Sequence, residues 1–185
     1  MDRIAVIGNS GTGKTSLARS LAHRLRVPYT ELDAMFHQPG WTELDRAEFR
    51  KSVAVLVSEP RWVIDGNYQQ VRDLIWARAD TVVWLHLPRT LVVRRVLWRT
   101  ARRVVTRQPL WNANRERLRN ALSWQPERSI VRWAWTQHTV YRERYAAAMR
   151  DPAFAHLAFH RLRSPAEVRA FLAASGRPTS VSRPE

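Results

Sequence analysis

Lys14 is one of only two lysines among 31 basic residues, the other being Lys51. In a chain that uses arginine for almost every positive charge, a retained lysine marks a place that wants a compact ammonium rather than a planar guanidinium. Its neighbours say what for. Gly8-Asn9-Ser10-Gly11-Thr12-Gly13-Lys14-Thr15 has the residue types and spacing of a loop that cradles phosphate. The three glycines let backbone N–H groups turn inward into an anion nest, which the positive end of the following helix completes. Lys14 then reaches the β- and γ-phosphates of a nucleoside triphosphate and Thr15 offers its hydroxyl to Mg²⁺, with Asn9, Ser10, Thr12 and Ser16 in the same turn. ATP and Mg²⁺ are the expected ligands.

Two acids are candidates for the remaining chemistry. Asp33 follows the run Tyr29-Thr30-Glu31-Leu32, and Asp65 follows Trp62-Val63-Ile64. Ligands of a parallel sheet sit beyond the carboxyl ends of its strands, so each acid is placed to bind a Mg²⁺-linked water, orient a phosphate acceptor or take its proton. A helix cap or turn carboxylate is the plain alternative for either one alone. Both are expected to follow strands that flank the loop strand, which favours a site. Arg99, Arg103 and Arg115 are the candidate lid arginines, with Arg89 near the site, and Phe36, His37 and Trp41 are candidates for the acceptor-pocket wall.

The elements that must position these groups alternate. Strands are predicted at 3–7, 29–32, 61–65, 80–87 and about 155–161, and helices at 14–25, 44–58, 69–76, 89–106, 114–123, 127–149 and 165–173. Ile4 to Ile7 and Trp62 to Ile64 are near-continuously apolar, as strands buried on both faces must be. Leu17, Leu21 and Leu25 recur at helical spacing after the loop. Thr42 or Asp45 can cap the second helix, and Ser164-Pro165-Ala166-Glu167 starts the last one. The order predicts an α/β fold: a three-layer P-loop NTPase, nucleotide-kinase-like, with a five-stranded mostly parallel sheet. Residues 89–149 hold too much helix for a simple crossover and suit a helical, Arg-rich lid. Residues 1–173 are expected to form one domain and 174–185 a disordered tail.

Composition narrows the function classes. The chain has 185 residues, 45% of them hydrophobic, and no cysteine, which removes disulfides, thiol catalysis and cysteine-built zinc sites. The apolar runs are too short for a membrane span, and a strand starting at Arg3 leaves no room for a signal peptide, so a cytoplasmic protein is expected. The formal net charge of +15 is concentrated between Thr81 and Arg150, where fifteen arginines face three glutamates for a local +12. Such a segment attracts polyphosphate, although most of its arginines suit solvated helix faces. The six histidines (23, 37, 86, 138, 156 and 160) have no metal-ligand spacing; His156 and His160 share a predicted strand face but stand about 13 Å apart. Of the nine tryptophans, Trp84 is expected in the core and Trp41 and Trp111 at the site wall.

With these landmarks placed, the chain resembles the bacterial topology modulation proteins, a branch of the adenylate-kinase-like P-loop kinases. The matching text is Leu32-Asp33-Ala34-Met35-Phe36 with Pro39-Gly40-Trp41, then Trp62 to Tyr68, then Ala79 to Leu85 with Leu87-Pro88-Arg89. Leu110 to Glu116 is similar to a lid motif of an Arg-rich subgroup, in which glycine often replaces Ala113. The resemblance implies a nucleotide-kinase-like fold, ATP and Mg²⁺ binding, and the function of a kinase or DNA topology modulator. Two departures matter. Relatives commonly carry Asp at the position of His86, so any metal role of that carboxylate falls elsewhere. Adenylate kinases proper have Gly after the loop lysine, whereas Thr15 follows Lys14 here, as in small-metabolite kinases.

The leading expectation is transfer of the ATP γ-phosphate to a small acceptor, a nucleoside, nucleotide or other metabolite. The alternative is a nucleic-acid-associated ATPase whose +12 segment holds DNA or RNA in salt-dependent fashion. No helix-turn-helix, RNA-recognition or zinc-finger signature supports a base-reading element. A nucleotide-binding protein with incidental acids is the third reading.

Overall fold

A computed structural model describes residues 1–106 and 130–175, with side chains except at 103–105 and 130–134. Five strands, β1 (Arg3–Gly8), β2 (Tyr29–Glu31), β3 (Trp62–Asp65), β4 (Thr81–Leu85) and β5 (Ala158–Leu162), pair in the order β2-β3-β1-β4-β5, with every neighbouring pair parallel. The helices are α1 (Lys14–Leu25), α2 (Leu32–Phe36), α3 (Arg46–Ser58), α4 (Arg72–Arg78), α5 (Arg89–Thr106), α6 (Ile130–Ala148) and α7 (Pro165–Ala174).

Strand alternation sorts the core into two layers, one on each face of the sheet. Ala5, Ile7, Trp62, Ile64, Val82 and Trp84 pack toward α3, α4 and α6. Ile4, Val6, Val63, Val83 and Leu85 pack toward α1 and α7. This explains the continuous apolar text from Ile4 to Ile7 in β1 and from Val82 to Leu85 in β4, where both faces of each strand are covered. Trp84, predicted as core, is 2% exposed.

Local signals set the helix ends. Asp45, rather than Thr42, caps α3, accepting from the backbone N–H groups of Ala47 and Glu48. The Ser164 hydroxyl accepts from Glu167 N at the start of α7, with Pro165 in the first turn. The bounds of α1 and α5 agree with those predicted. Other expectations need correction. β2 does not flank β1; β3 lies between them, so only Asp65 follows a strand adjacent to the loop strand. β5 begins at Ala158, which leaves His156 in the preceding turn, its Nε2 3.0 Å from Trp76 O, and not on a strand face with His160. The helix expected over 69–76 is a 3-10 turn at Gln69–Val71 followed by α4. The predicted helix at 114–123 and Trp111 lie outside the described residues. Among those described, no helix is long and apolar enough to cross a membrane.

Candidate active site

The loop joining β1 to α1 lies at the carboxyl edge of the sheet, where β1 sits between β3 and β4. Its glycines are fixed by close approach as well as by conformation. A Cβ on Gly8 would stand 2.7 Å from Leu85 O, and one on Gly11, at φ 81°, would stand 2.5 Å from a Val96 methyl and 3.1 Å from Val92 O. The first of these lets β1 close against β4, and the second lets α5 lie directly on the loop. No side chain caps α1, which leaves its amino end to an incoming anion. Lys14 Nζ donates to Asn9 O at 3.2 Å and the Thr12 hydroxyl to the same carbonyl at 2.7 Å. Asn67, just past β3, braces the entry to the loop: its Oδ1 accepts from Gly8 N at 3.1 Å and its amide donates to Gly8 O.

The second and third strands bring acids to this edge. Glu31 ends β2, accepts from Thr15 Oγ1 at 3.3 Å, and pairs with Arg19 at 3.3 Å. Asp65 ends β3 and is 2% exposed, with the Tyr29 hydroxyl 3.2 Å from its Oδ2. Burial raises the Asp65 carboxyl from an ordinary 3.8 to about 6, against the opposing pull of the Lys14 ammonium and the Thr15 hydroxyl. Burial likewise lowers Lys14, while Asp33 and Asp65 counter that shift and Arg99 adds to it. Asp33 lies in α2, not in a loop, and accepts from the Tyr68 hydroxyl at 2.7 Å. Burial and the Asp33 charge push the Tyr68 phenol up, which keeps it a donor. His37 Nε2 stands 3.4 Å from the same hydroxyl, and Phe36, Phe49, His37 and Trp41 build an edge-to-face aromatic wall around it.

Basic groups come from the opposite side. Arg99 Nη2 donates to Ser10 Oγ at 3.0 Å and Arg95 Nη1 to Thr12 O at 3.3 Å, so two arginines one turn apart on α5 grip the loop. Arg89 does not reach it. Its guanidinium stacks 3.5 Å over the Trp135 ring and bonds Trp135 O, joining α5 to α6. The Arg103 side chain and Arg115 lie outside the described residues. Thus the structure brings Lys14, Thr15, Asp33, Asp65 and Arg99 together around one loop.

Four contributors escaped sequence reasoning as functional groups. Glu31 was readable, two residues before Asp33 at a strand end. Arg95 was readable as the helical neighbour of Arg99. Asn67 and Tyr68 act through contacts more than thirty residues away in sequence, which no local pattern encodes.

Among the described residues no group of three or more His, Asp or Glu is arranged to hold a metal. The all-oxygen set of Thr15, Glu31 and Asp65 nevertheless fits Mg²⁺, which binds through one or two protein oxygens, phosphates and several waters rather than a protein cage.

A search of curated proteins finds no sequence match. The family described as ATPase family associated with various cellular activities (AAA) matches residues 4–76, which span β1, the loop, α1 and the acids after β2 and β3. Among solved structures, shikimate kinase from Bacteroides thetaiotaomicron superposes with TM-score 0.56 at 14% identity, over 94% of this chain and 95% of that one. Shikimate kinase from Acinetobacter baumannii in complex with shikimate superposes with TM-score 0.55 at 18% identity, over 94% of this chain and 90% of that one. The chain therefore has the three-layer P-loop fold of the shikimate kinases, built on a five-stranded parallel sheet.

Proposed function

We propose that this chain is a P-loop phosphotransferase that moves the γ-phosphate of ATP to a small acceptor bound on the Asp33 side. The observation that carries the reading is the position of Lys14. Arg99 and Arg95 grip its loop through Ser10 and Thr12, the next residue, Thr15, donates to Glu31, and the Lys14 ammonium feels the charges of Asp33, Asp65 and Arg99, which suits it to neutralise a phosphoryl group passing from donor to acceptor. The resemblance to topology modulation proteins and the likeness in fold to shikimate kinases support the same reading.

Each group then has a task. Backbone N–H groups of the glycine loop and the amino end of α1 hold the β- and γ-phosphates. Lys14 and Arg99 neutralise charge that spreads over the transferring group, with Arg103 and Arg115 as further lid arginines. Thr15, Asp65 and Glu31 would hold Mg²⁺, with Asp33 the remaining candidate, and the ion would supply charge that offsets the negative phosphates. With an acceptor hydroxyl, Asp33 orients it and takes its proton, while the Tyr68 hydroxyl fixes the carboxylate. With a phosphate acceptor no base is needed. We further propose a single domain with residues 89–149 as lid and a cytoplasmic setting, where ATP is available; the domain runs to Ser175 and not to the expected 173, since Ala174 ends α7 and the buried Ser175 hydroxyl donates to Phe171 O, which leaves 176–185 as the tail.

The test is transfer of γ-labelled phosphate from Mg-ATP to separate panels of nucleosides, nucleoside monophosphates, sugars, small hydroxy acids and oligonucleotide ends, with Lys14→Ala as blank. A labelled small product absent from the blank supports the reading. Label released only as free phosphate, and rising with added DNA or RNA, overturns it in favour of a nucleic-acid-stimulated ATPase.

A further inference from the structure

Beyond the ends of β4 and β5 a group of basic side chains gathers on the face opposite α1. Arg161 and Trp84 sit side by side in the β4–β5 register, with the Arg161 guanidinium 4.6 Å from the Trp84 ring centroid. Its Nη2 stands 3.4 Å from His86 Nδ1. Since a guanidinium can only donate, Nδ1 is the acceptor and the His86 proton resides on Nε2. The His86 ring meets His138 edge-on at 5.3 Å between centroids, and His138 Nε2 is held 3.1 Å from Leu87 O. His138, Tyr141, Arg142 and Tyr145 follow at intervals of three, one and three on α6, which places them along one side of that helix.

Among the described residues this group lacks a matching negative charge. Burial lowers His86 to about 4, and the charges acting most strongly on it are all positive: Arg161, His138, Arg142 and Arg163. Arg161 is lowered by burial and then by Arg163 and Arg142. Arg142 has an ion pair with Glu143, but at 4.0 Å and with both partners more than half exposed. Glu167 spends its carboxylate on Arg163 N and Ser164 at the start of α7. The Nε of Arg161 is closed off from solvent and has no hydrogen-bond partner among the described residues.

We infer that Arg161, with the His86 N–H and the nearby His138 and Arg142, forms a subsite for an oxyanion, a carboxylate or phosphate group carried by the acceptor. A half-buried guanidinium, fixed by the Trp84 face and His86, can direct its Nη groups at the oxygens of either group. The subsite is separate from the nucleotide loop but next to it. Leu85, one residue before His86, pairs with Gly8, whereas α1 packs on the other face of the sheet. It also connects to the acceptor side: Tyr141 is hydrogen-bonded to Asn67 and senses the charge of Asp33. Only the assignment of this anion to the acceptor rests on the kinase reading; the subsite itself does not.

The test follows the imidazole signals of His86 and His138 by NMR while inorganic phosphate or malonate is titrated into the full chain with Mg-AMP-PNP present. Nucleotide binding is measured calorimetrically on the same samples. Saturable shifts are expected, with the tighter of the two anions naming the acceptor's group. Binding should weaken about tenfold or more in Arg161→Gln, which loses the charge but still covers Trp84. His86→Asp, read through His138, should weaken it as strongly by placing an internal carboxylate against Arg161. Unmoved signals, or equal affinity in the wild type and Arg161→Gln, overturn the subsite even if nucleotide binds. Anion binding that depends on Arg161 without any nucleotide binding upholds the subsite and overturns the kinase reading instead.

Discussion

The two flanks of the phosphate loop handle charge in opposite ways. On the β2–β3 side, Glu31, Asp65 and Asp33 are each held by a hydroxyl, from Thr15, Tyr29 and Tyr68. These acids are satisfied and positioned before any ligand arrives, at the cost of a raised Asp65. On the β4–β5 side the cations are held by carbonyls, a serine hydroxyl and aromatic faces instead of carboxylates: Arg95 and Arg99 on the loop, Arg89 on Trp135, Arg161 on Trp84 and His86. Such partners fix direction without cancelling charge. One flank is thus set to hold a cation or a proton-bearing group, and the other keeps positive potential for the anionic groups of nucleotide and acceptor.

That asymmetry can be broken at graded cost. Lys14, which feels both flanks, is the largest lever: Lys14→Ala should lower the transfer rate by about 10²–10³-fold or more, measured in single-turnover assays with labelled ATP. Gly11→Ala strikes the contact that brings the basic flank onto the loop. With a Cβ only 2.5 Å from Val96 and φ at 81°, it should cost about 1–3 kcal/mol of stability in denaturant unfolding, whereas exposed Gly40, with no heavy atom within 4 Å of its Cβ position, should cost less despite its own positive φ.

Asp65 tests the acidic flank by pH. Its carboxyl titrates near 6 in the fold against an ordinary 3.8, so the folded chain binds the proton more tightly than the unfolded chain. The penalty is absent below about pH 4, grows as pH rises to about 6, and is complete above that. Asp65→Asn should therefore stabilise the ligand-free protein at neutral pH by about 1–3 kcal/mol and flatten the loss between about pH 4 and 6, read from urea midpoints. Tyr68→Phe should have the smallest effect. Removing one hydrogen bond to Asp33 should cost about 1 kcal/mol in transfer, appearing as a shifted acidic limb of the pH–rate profile with nucleotide affinity unchanged.

Much of this arrangement was legible along the chain. The loop motif, β1 and α1 form one local unit in which glycine spacing, a buried apolar run and a helical leucine period agree. α5 was readable to its ends because its pattern runs unbroken from Arg89 to Thr106. Strand order was not readable, because the insertion of β3 between β1 and β2 depends on pairings between distant segments. The same limit explains why Arg99 and Arg89, both plausible site arginines by composition, part company in the structure. Arg99 lies one turn after Arg95 on the loop-facing side of α5, whereas Arg89 starts the helix and meets α6. Position 86 is instructive in another way. The histidine signalled only a missing carboxylate, and its consequence became visible once β5 placed Arg161 beside it.

The most direct test of the division between flanks is the affinity of Mg-AMP-PNP for the wild type, Arg99→Ala and Asp33→Asn, measured side by side by calorimetry. Arg99, on the basic flank, serves the nucleotide and Asp33, on the acidic flank, serves the acceptor, so Arg99→Ala should weaken binding about tenfold while Asp33→Asn leaves it within about twofold. Equal weakening in both variants, or full affinity retained in Arg99→Ala, would contradict the division.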